Sequence, residues 1–370
     1  MRLIYATSIT YPSGLANRMQ IIAMSKALAD KMKTNFFLGG AKIDLSAEAG
    51  LSEHNLQIIN FGNLKSYSLA VQYLKFAKKN RIDRIYCREP RLLFFMALFN
   101  KFYFRFKVKF AYEIHRLIED NRTDMFAEKV LSFFVDKYIF VTSHLRDMYS
   151  EKYGLIRNKT FVAPDGVDPG IFDIDVSKAE ARKKLNLPQD KKIIGYCGRF
   201  KTMGEDKGFL DVLEALPLLE ENVIFVAMGG KPRHVVEYQQ LADSKGLKSR
   251  AFFRDHQTQS IVALYQKAFD ILLMPFPATT HYTYFMSPMK MFEYMAAKRP
   301  IVVSDLPSVR EVLNENTAVL VEAGNPVAFA EAVKRVLKDK KLADRLAANA
   351  YRDSGQYTWT RRAENILRFL

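Results

Sequence analysis

A chain of 370 residues, 49% hydrophobic and 26% charged, is long enough to bury two separate cores, and two domains are expected. Its cysteines, Cys87 and Cys197, are too few and too far apart for a disulfide framework or a zinc site, which points to a reducing cytoplasm, and no apolar run approaches the length of a membrane span. The formal charge of +16 suits an anionic partner, but no helix-turn-helix, zinc-finger or RNA-recognition signature is present, so nucleic acid is not expected.

No cleavable apolar leader is expected, since Leu3-Ile4-Tyr5-Ala6 reads as a short strand. A helical pattern over 14–32 and a strand over 34–38 follow, the grammar of a βαβ unit. Between strand and helix lies Tyr11-Pro12-Ser13-Gly14, a small turn that lets backbone approach a phosphate or sugar, so Ser13 and Gly14 are candidate donor-site residues. The alternation continues with strands over 83–87, 108–113, 137–142 and 160–163, and helices over 68–79, 91–104, 124–135 and 143–153. This pattern makes a parallel sheet with helices on both faces.

Charge is concentrated in this half. From Lys65 to Arg116 thirteen Lys or Arg stand against Asp83, Glu89 and Glu113, and two aromatic runs, 92–99 and 102–106, are threaded among them. Such a mixture suits an anionic bilayer surface or a lipid phosphate, with Lys75, Lys78, Lys79, Arg91, Lys101 and Arg105 as contacting cations; a buried helix and strand with a solvated basic rim is the equal alternative. Glu113-Ile114-His115 ends a strand, which puts His115 at the sheet's carboxyl edge, where a neutral imidazole can bond a sugar hydroxyl or carry a proton. The other histidines show no metal-ligand spacing with it, and no bound metal is expected.

After Pro164-Asp165-Gly166-Val167-Asp168 the chain turns polar, and the linker is placed there. The first domain is expected over 1–168, with 356–370 packing back on it as an amphipathic segment, and the second over 169–355. The second repeats the alternation, with strands over 192–197, 223–228, 250–253, 271–274, 301–304 and 318–321. Two doubly wound α/β domains facing each other leave one cleft at the carboxyl ends of their strands, where ligands bind. Gly198-Arg199 closes the first of these strands and Asp206-Lys207-Gly208 opens the next helix, so two cations and a helix N-terminus can hold a diphosphate. Farther on, Ser287-Pro288-Met289-Lys290-Met291-Phe292-Glu293 reads as a helix start. Ser287 is the expected N-cap and Pro288 the first helical residue, with the following amides, Met289 among them, free for an anion, the Lys290 cation in the first turn placed for phosphate and Glu293 on the same face placed for ribose hydroxyls.

Together, the glycine turn after the first strand, Glu113-Ile114-His115, Pro164-Asp165-Gly166-Val167-Asp168, Gly198-Arg199 with Lys207-Gly208, and Phe292-Glu293-Tyr294-Met295-Ala296 before Pro300-Ile301-Val302-Val303 resemble the retaining glycosyltransferases of family 4. The resemblance implies the GT-B fold of two Rossmann-like domains, and transfer of a sugar from a UDP- or GDP-sugar with retention at the anomeric carbon, without cofactor or required metal. It implies that Arg199 and Lys207 hold the donor diphosphate, that Glu293 holds the ribose and that His115 lies near the donor sugar. One departure stands out: the family commonly has a further glutamate where this chain has Phe285, while Ser287, Pro288 and Lys290 match a Ser-Pro-x-Lys variant of the same stretch. The expected enzyme is a cytoplasmic hexosyltransferase on the inner face of the membrane, extending a lipid-linked or surface glycan by same-face attack, with His115, Arg199 and Lys207 catalytic. A nucleotide-sugar epimerase of the same fold and a non-catalytic basic binding module are the alternatives.

Overall fold

The computed structural model describes residues 1–13, 15–46, 55–202 and 204–370. Gly14, a candidate donor-site residue, lies outside the described residues. The chain divides into two compact units, Met1–Asp165 with Trp359–Leu370, and Gly166–Thr358.

The first unit contains β1 (Leu3–Ala6), α1 (Ala16–Lys31), β2 (Phe36–Gly40), β3 (Leu56–Asn60), α2 (Ser66–Lys79), β4 (Arg84–Cys87), α3 (Pro90–Phe99), β5 (Lys109–Ile114), α4 (Arg122–Phe134), β6 (Lys137–Phe140), α5 (Ser143–Tyr153) and β7 (Thr160–Val162). Its strands form one parallel sheet in the order β3-β2-β1-β4-β5-β6-β7. β1 is buried at every residue, as an apolar strand covered on both faces must be. One strand is added to the expected set and one expected helix is shortened. β3 was not evident in the sequence because it is an edge strand, only half-buried, with Gln57 and Asn60 interrupting its apolar pattern. The helix expected over 91–104 ends as an α-helix at Phe99; Asn100–Phe104 is a wider turn, its first carbonyl accepting from the Arg105 amide at 2.8 Å.

The second unit contains α6 (Lys178–Lys184), β8 (Lys192–Cys197), α7 (Phe209–Ala215), β9 (Val223–Gly230), α8 (Pro232–Ser244), β10 (Ala251–Asp255), α9 (Gln259–Ala268), β11 (Ile271–Met274), α10 (Met289–Ala296), β12 (Ile301–Ser304), β13 (Val319–Val321), α11 (Pro326–Lys338) and α12 (Lys340–Ser354). Its parallel sheet runs β10-β9-β8-β11-β12-β13. The last helix, α13 (Trp359–Phe369), belongs to the first unit, where it packs on α1, buries Trp359, Ala363 and Ile366, and stacks Phe369 on Phe161 with ring centroids 5.2 Å apart.

In both units the strands are laid outward from the first and then resume on its other flank, the doubly wound order. The reversal falls at β1/β4 in the first unit and at β8/β11 in the second. Open α/β sheets bind ligands outside the carboxyl ends at such points. In the second unit those ends lead into Gly198-Arg199 and Pro275-Phe276, and in the first into Thr7-Ser8 and Arg88-Glu89. Cys87 and Cys197 are free thiols in the two cores, and burial pushes both well above the ordinary thiol range.

Candidate functional site

At the reversal point of the second sheet, β8 is buried from Ile193 to Cys197 and stops at Gly198, whose φ of +134° suits glycine alone. A Cβ at Gly198 would also meet the Lys290 ammonium nitrogen at 2.7 Å. The chain then forms a short hairpin, Lys201–Thr202 against Glu205–Asp206, and enters α7 at Gly208. Gly208 takes φ +82°, and a Cβ there would overlap the Pro275 carbonyl, so the α7 entry is pressed onto the end of β11. The Asp206 carboxylate accepts from the Phe209 amide at 2.9 Å and fixes the turn.

Lys207 is held between these anchors. It is 8% exposed, its Nζ donates to the Tyr282 hydroxyl at 2.9 Å, and it lies 4.3 Å from the Tyr282 ring centroid and 5.6 Å from that of Phe276. Burial lowers its pKa to about 8, against the raising influence of Glu205 and Asp206 and with the help of Arg199. Lys290 approaches the same Phe276 ring, 5.7 Å from its centroid, while donating to the Tyr196 hydroxyl and covering the Tyr196 ring at 3.5 Å. Burial, and then Lys207, push the Lys290 pKa well below the ordinary lysine value. Arg199 is half-buried, and its side chain makes no hydrogen bond or ion pair with any described residue.

The helix start is corrected by one residue. α10 begins at Met289, Pro288 is the N-cap and Ser287 lies one step outside. Proline drives the residue before it toward extended backbone, and Pro288 itself is extended at ψ 126°, its carbonyl taking the first helical bond from the Met291 amide at 2.9 Å. The amides of Met289 and Lys290 therefore stand in the first turn without an intrahelical partner. Tyr294 ties the helix to β8, its hydroxyl accepting from the Cys197 amide at 2.7 Å. Glu293, one turn along, receives the Gln266 side-chain amide at 3.4 Å; burial pushes its carboxyl up to about 7, opposed by Lys290. Gln266 is fully buried, and its Oε1 has no partner among the described residues. Phe285, where the resembled family places a glutamate, is buried.

Arg199, Lys207 and Lys290 thus converge without any described carboxylate within ion-pair distance, two of them seated on aromatic rings near the start of a helix. Such an array can take up a diphosphate.

In the first unit, His115 directly follows β5, and its Nε2 meets Glu113 Oε1 at 2.6 Å. The Ser13 hydroxyl accepts from the Leu15 amide at 3.3 Å and from Arg18 at 3.1 Å, so it shapes the start of α1. Lys75, Lys78, Lys79, Arg91, Lys101 and Arg105 are all exposed. Arg91 is engaged by Asp124 through two hydrogen bonds, one of 3.2 Å. Near these cations Phe102 and Tyr103 are 58% and 83% exposed. Sequence reasoning did not reach Tyr196, Phe276, Tyr282 and Gln266, because aromatic residues in buried-looking runs read as core, nor Arg362, which meets Glu113 from 249 positions away.

The family model of glycosyl transferases group 1 matches residues 177–353. That stretch runs from α6 into the last turn of α12 and includes the site residues Gly198, Arg199, Lys207, Lys290 and Glu293. Among curated proteins, D-inositol 3-phosphate glycosyltransferase of Xylanimonas cellulosilytica is 27% identical over 221 residues, covering 58% of this chain and 52% of that protein. The chain spans about half the length of the curated relatives it matches. Among solved structures, Anabaena HepE in complex with UDP superposes with a TM-score of 0.80 at 18% identity, covering 100% of this chain and 99% of that one. The HepE complex with UDP-glucose gives 0.78 at 17% identity, covering 100% of both chains. These likenesses show the fold, which is GT-B.

Proposed function

We propose that this chain is a retaining glycosyltransferase that moves a sugar from a nucleoside diphosphate sugar to a lipid-linked or surface-glycan acceptor without a metal. The observation that carries the reading is the trio Arg199, Lys207 and Lys290, gathered at the reversal point of a doubly wound sheet without carboxylate partners among the described residues. The group 1 match over 177–353 and the HepE complex with UDP-glucose support it. In the reaction the bond between the anomeric carbon and the donor phosphate oxygen breaks, and charge develops on the diphosphate. Arg199, Lys207, Lys290 and the amides of Met289 and Lys290 stabilise that charge. Glu293 accepts from ribose hydroxyls, and His115 bonds a hydroxyl of the sugar. The acceptor oxygen bonds the anomeric carbon on the face the phosphate leaves, and its proton passes to the leaving phosphate oxygen.

A thermal-shift screen across UDP- and GDP-sugars tests the donor site, because a ligand that binds only the folded chain raises its melting temperature. No shift with any nucleotide sugar would overturn the reading, and a glycosyl adduct trapped on an Asp or Glu would replace same-face attack with a two-step route.

The proposal extends to a site of action on an anionic membrane at the cytoplasmic face. Lys75, Lys78, Lys79, Lys101 and Arg105, with exposed Phe102 and Tyr103, support it by chemistry suited to acidic headgroups and the interface. Among the described residues no helix is long and apolar enough to cross a membrane. Co-sedimentation with acidic liposomes at low and high salt is the test, and indifference to lipid charge would remove this part alone.

A further inference from the structure

The edge of the first sheet carries a buried charge cluster that the proposed reaction does not by itself explain. Glu113, near the end of β5, is 1% exposed, yet its carboxylate receives three donors. Tyr86, from β4, donates its hydroxyl to Oε2, while Arg362 Nη2, from α13, meets Oε1 at 3.0 Å and His115 Nε2 meets Oε1 at 2.6 Å. Arg362 is itself 3% exposed and is oriented by the carbonyls of Pro164 at 2.9 Å and Ala163 at 3.3 Å, which follow β7. Two strands, the end of a third and the returning helix are therefore spent on one carboxylate. Burying an ion pair rarely stabilises a fold relative to apolar packing, so geometry is the better account of this expense.

The consequence falls on the imidazole. A carboxylate held by an arginine, a phenol and an imidazole is an acceptor only, so the hydrogen in its contact with His115 belongs to Nε2. The neutral ring then has one nitrogen left, Nδ1, with a lone pair. We propose that Glu113, Tyr86 and Arg362 are the positioning residues of His115, fixing the Nε2–H tautomer so that Nδ1 accepts a hydrogen bond from a substrate hydroxyl. The substrate half rests on the glycosyltransferase reading above; the tautomer does not.

The surroundings agree. Glu113 is held near 2: burial raises its carboxyl, but Arg362 and His115 outweigh burial. Burial first, and then Arg88 after β4, with Arg362 from α13 adding, lower His115 from 6.5 to about 4 against the pull of Glu113. Asp165, after β7, belongs to the same cluster: burial pushes its carboxyl up to about 7, with Arg362 and Arg88 opposing and Glu113 adding. At neutral pH the His115 ring accordingly has a single N–H hydrogen, and its acceptor nitrogen selects O–H groups over phosphate or carbonyl oxygens.

Long-range proton–nitrogen NMR on the histidine-labelled full chain tests this, with His115→Gln assigning the signal. The expected spectrum is a neutral Nε2–H imidazole that does not titrate from about pH 8 to about pH 5. An Nδ1–H tautomer, an even mixture, or titration near the ordinary 6.5 would overturn the inference. Arg362→Met should let the ring sample both tautomers and raise its midpoint, and Arg362→Lys should restore the wild-type pattern. If the Met variant does not fold, the wild-type spectrum still decides. With substrates, folded Arg362→Met should lose roughly tenfold or more in kcat/KM while keeping its nucleotide-sugar thermal shift; unchanged kcat/KM would overturn the substrate half. A wild-type chain that no nucleotide sugar stabilises would instead refute the glycosyltransferase reading and leave the tautomer standing.

Discussion

At the carboxyl edge of the second sheet, Arg199, Lys207 and Lys290 stand with no described carboxylate within ion-pair distance, whereas at that of the first, Arg362 and His115 share the buried Glu113. Both edges belong to parallel sheets of the same doubly wound order. The first edge is satisfied from within, so its charges hold a fixed geometry. The second is left positive, and its lysines lie against Tyr196, Tyr282 and Phe276. Lys207 records the imbalance. Its folded-state pKa is depressed from 10.5 to about 8, so its contribution to stability is present above 10.5 and lost as pH falls through 8. At neutral pH the fold bears an unfavourable charge that a bound diphosphate would relieve.

The contrast can be broken most forcefully at the satisfied edge. Glu113→Ala leaves Arg362 buried without its anion and should cost about 3–5 kcal/mol of stability in urea denaturation, an effect set by the lost pairing. At the other edge Lys207→Ala should leave stability unchanged or raised, while transfer falls by about 100- to 1000-fold and the nucleotide thermal shift disappears. If the two substitutions behaved alike, the distinction between the edges would fail.

The pH dependence of donor binding sharpens the comparison further. The ionised form of Glu293 is lost below about 7 and the charged form of Lys207 above about 8. Calorimetry with a nucleoside diphosphate sugar should therefore find the highest affinity between these values, with a decline of at most about tenfold per pH unit on either side. A flat profile would mean that neither group meets the ligand. The smallest effect is expected for Tyr196→Phe, which keeps the ring beneath Lys290 and removes the hydroxyl; thermal denaturation should register a change of about 1 kcal/mol.

What could be read from the sequence follows from how locally each feature is encoded. Buried parallel strands are continuous apolar runs, so β8, β11 and β12 are legible at their observed bounds, whereas the half-buried edge strand β3 carries no such signature. Arg199 and Lys207 are conspicuous because Gly198 and Gly208 flank them, and the reasons for those glycines, the Lys290 ammonium and the Pro275 carbonyl, are visible only in three dimensions. Ser287 and Pro288 are displaced by one position because a proline can either open a helix or cap it, and the choice depends on ψ. Tyr196 and Tyr282 are not legible as site residues, since a tyrosine on a buried element gives no sign that a lysine will lie across its ring. The pairing of Glu113 with Arg362 spans 249 positions, which no local pattern can encode.

That span has a consequence for synthesis. Glu113 and most of the first unit leave the ribosome while residue 362 is still untranslated, and the entire second unit is made in between. Until α13 arrives, the nascent first unit holds a carboxylate without its arginine and an α1 surface without its cover. The second unit, contiguous from Gly166 to Thr358, has no such wait. The order of maturation therefore runs against the order of translation: the half made later can complete its core first, and the half that orients His115 is finished by the final helix.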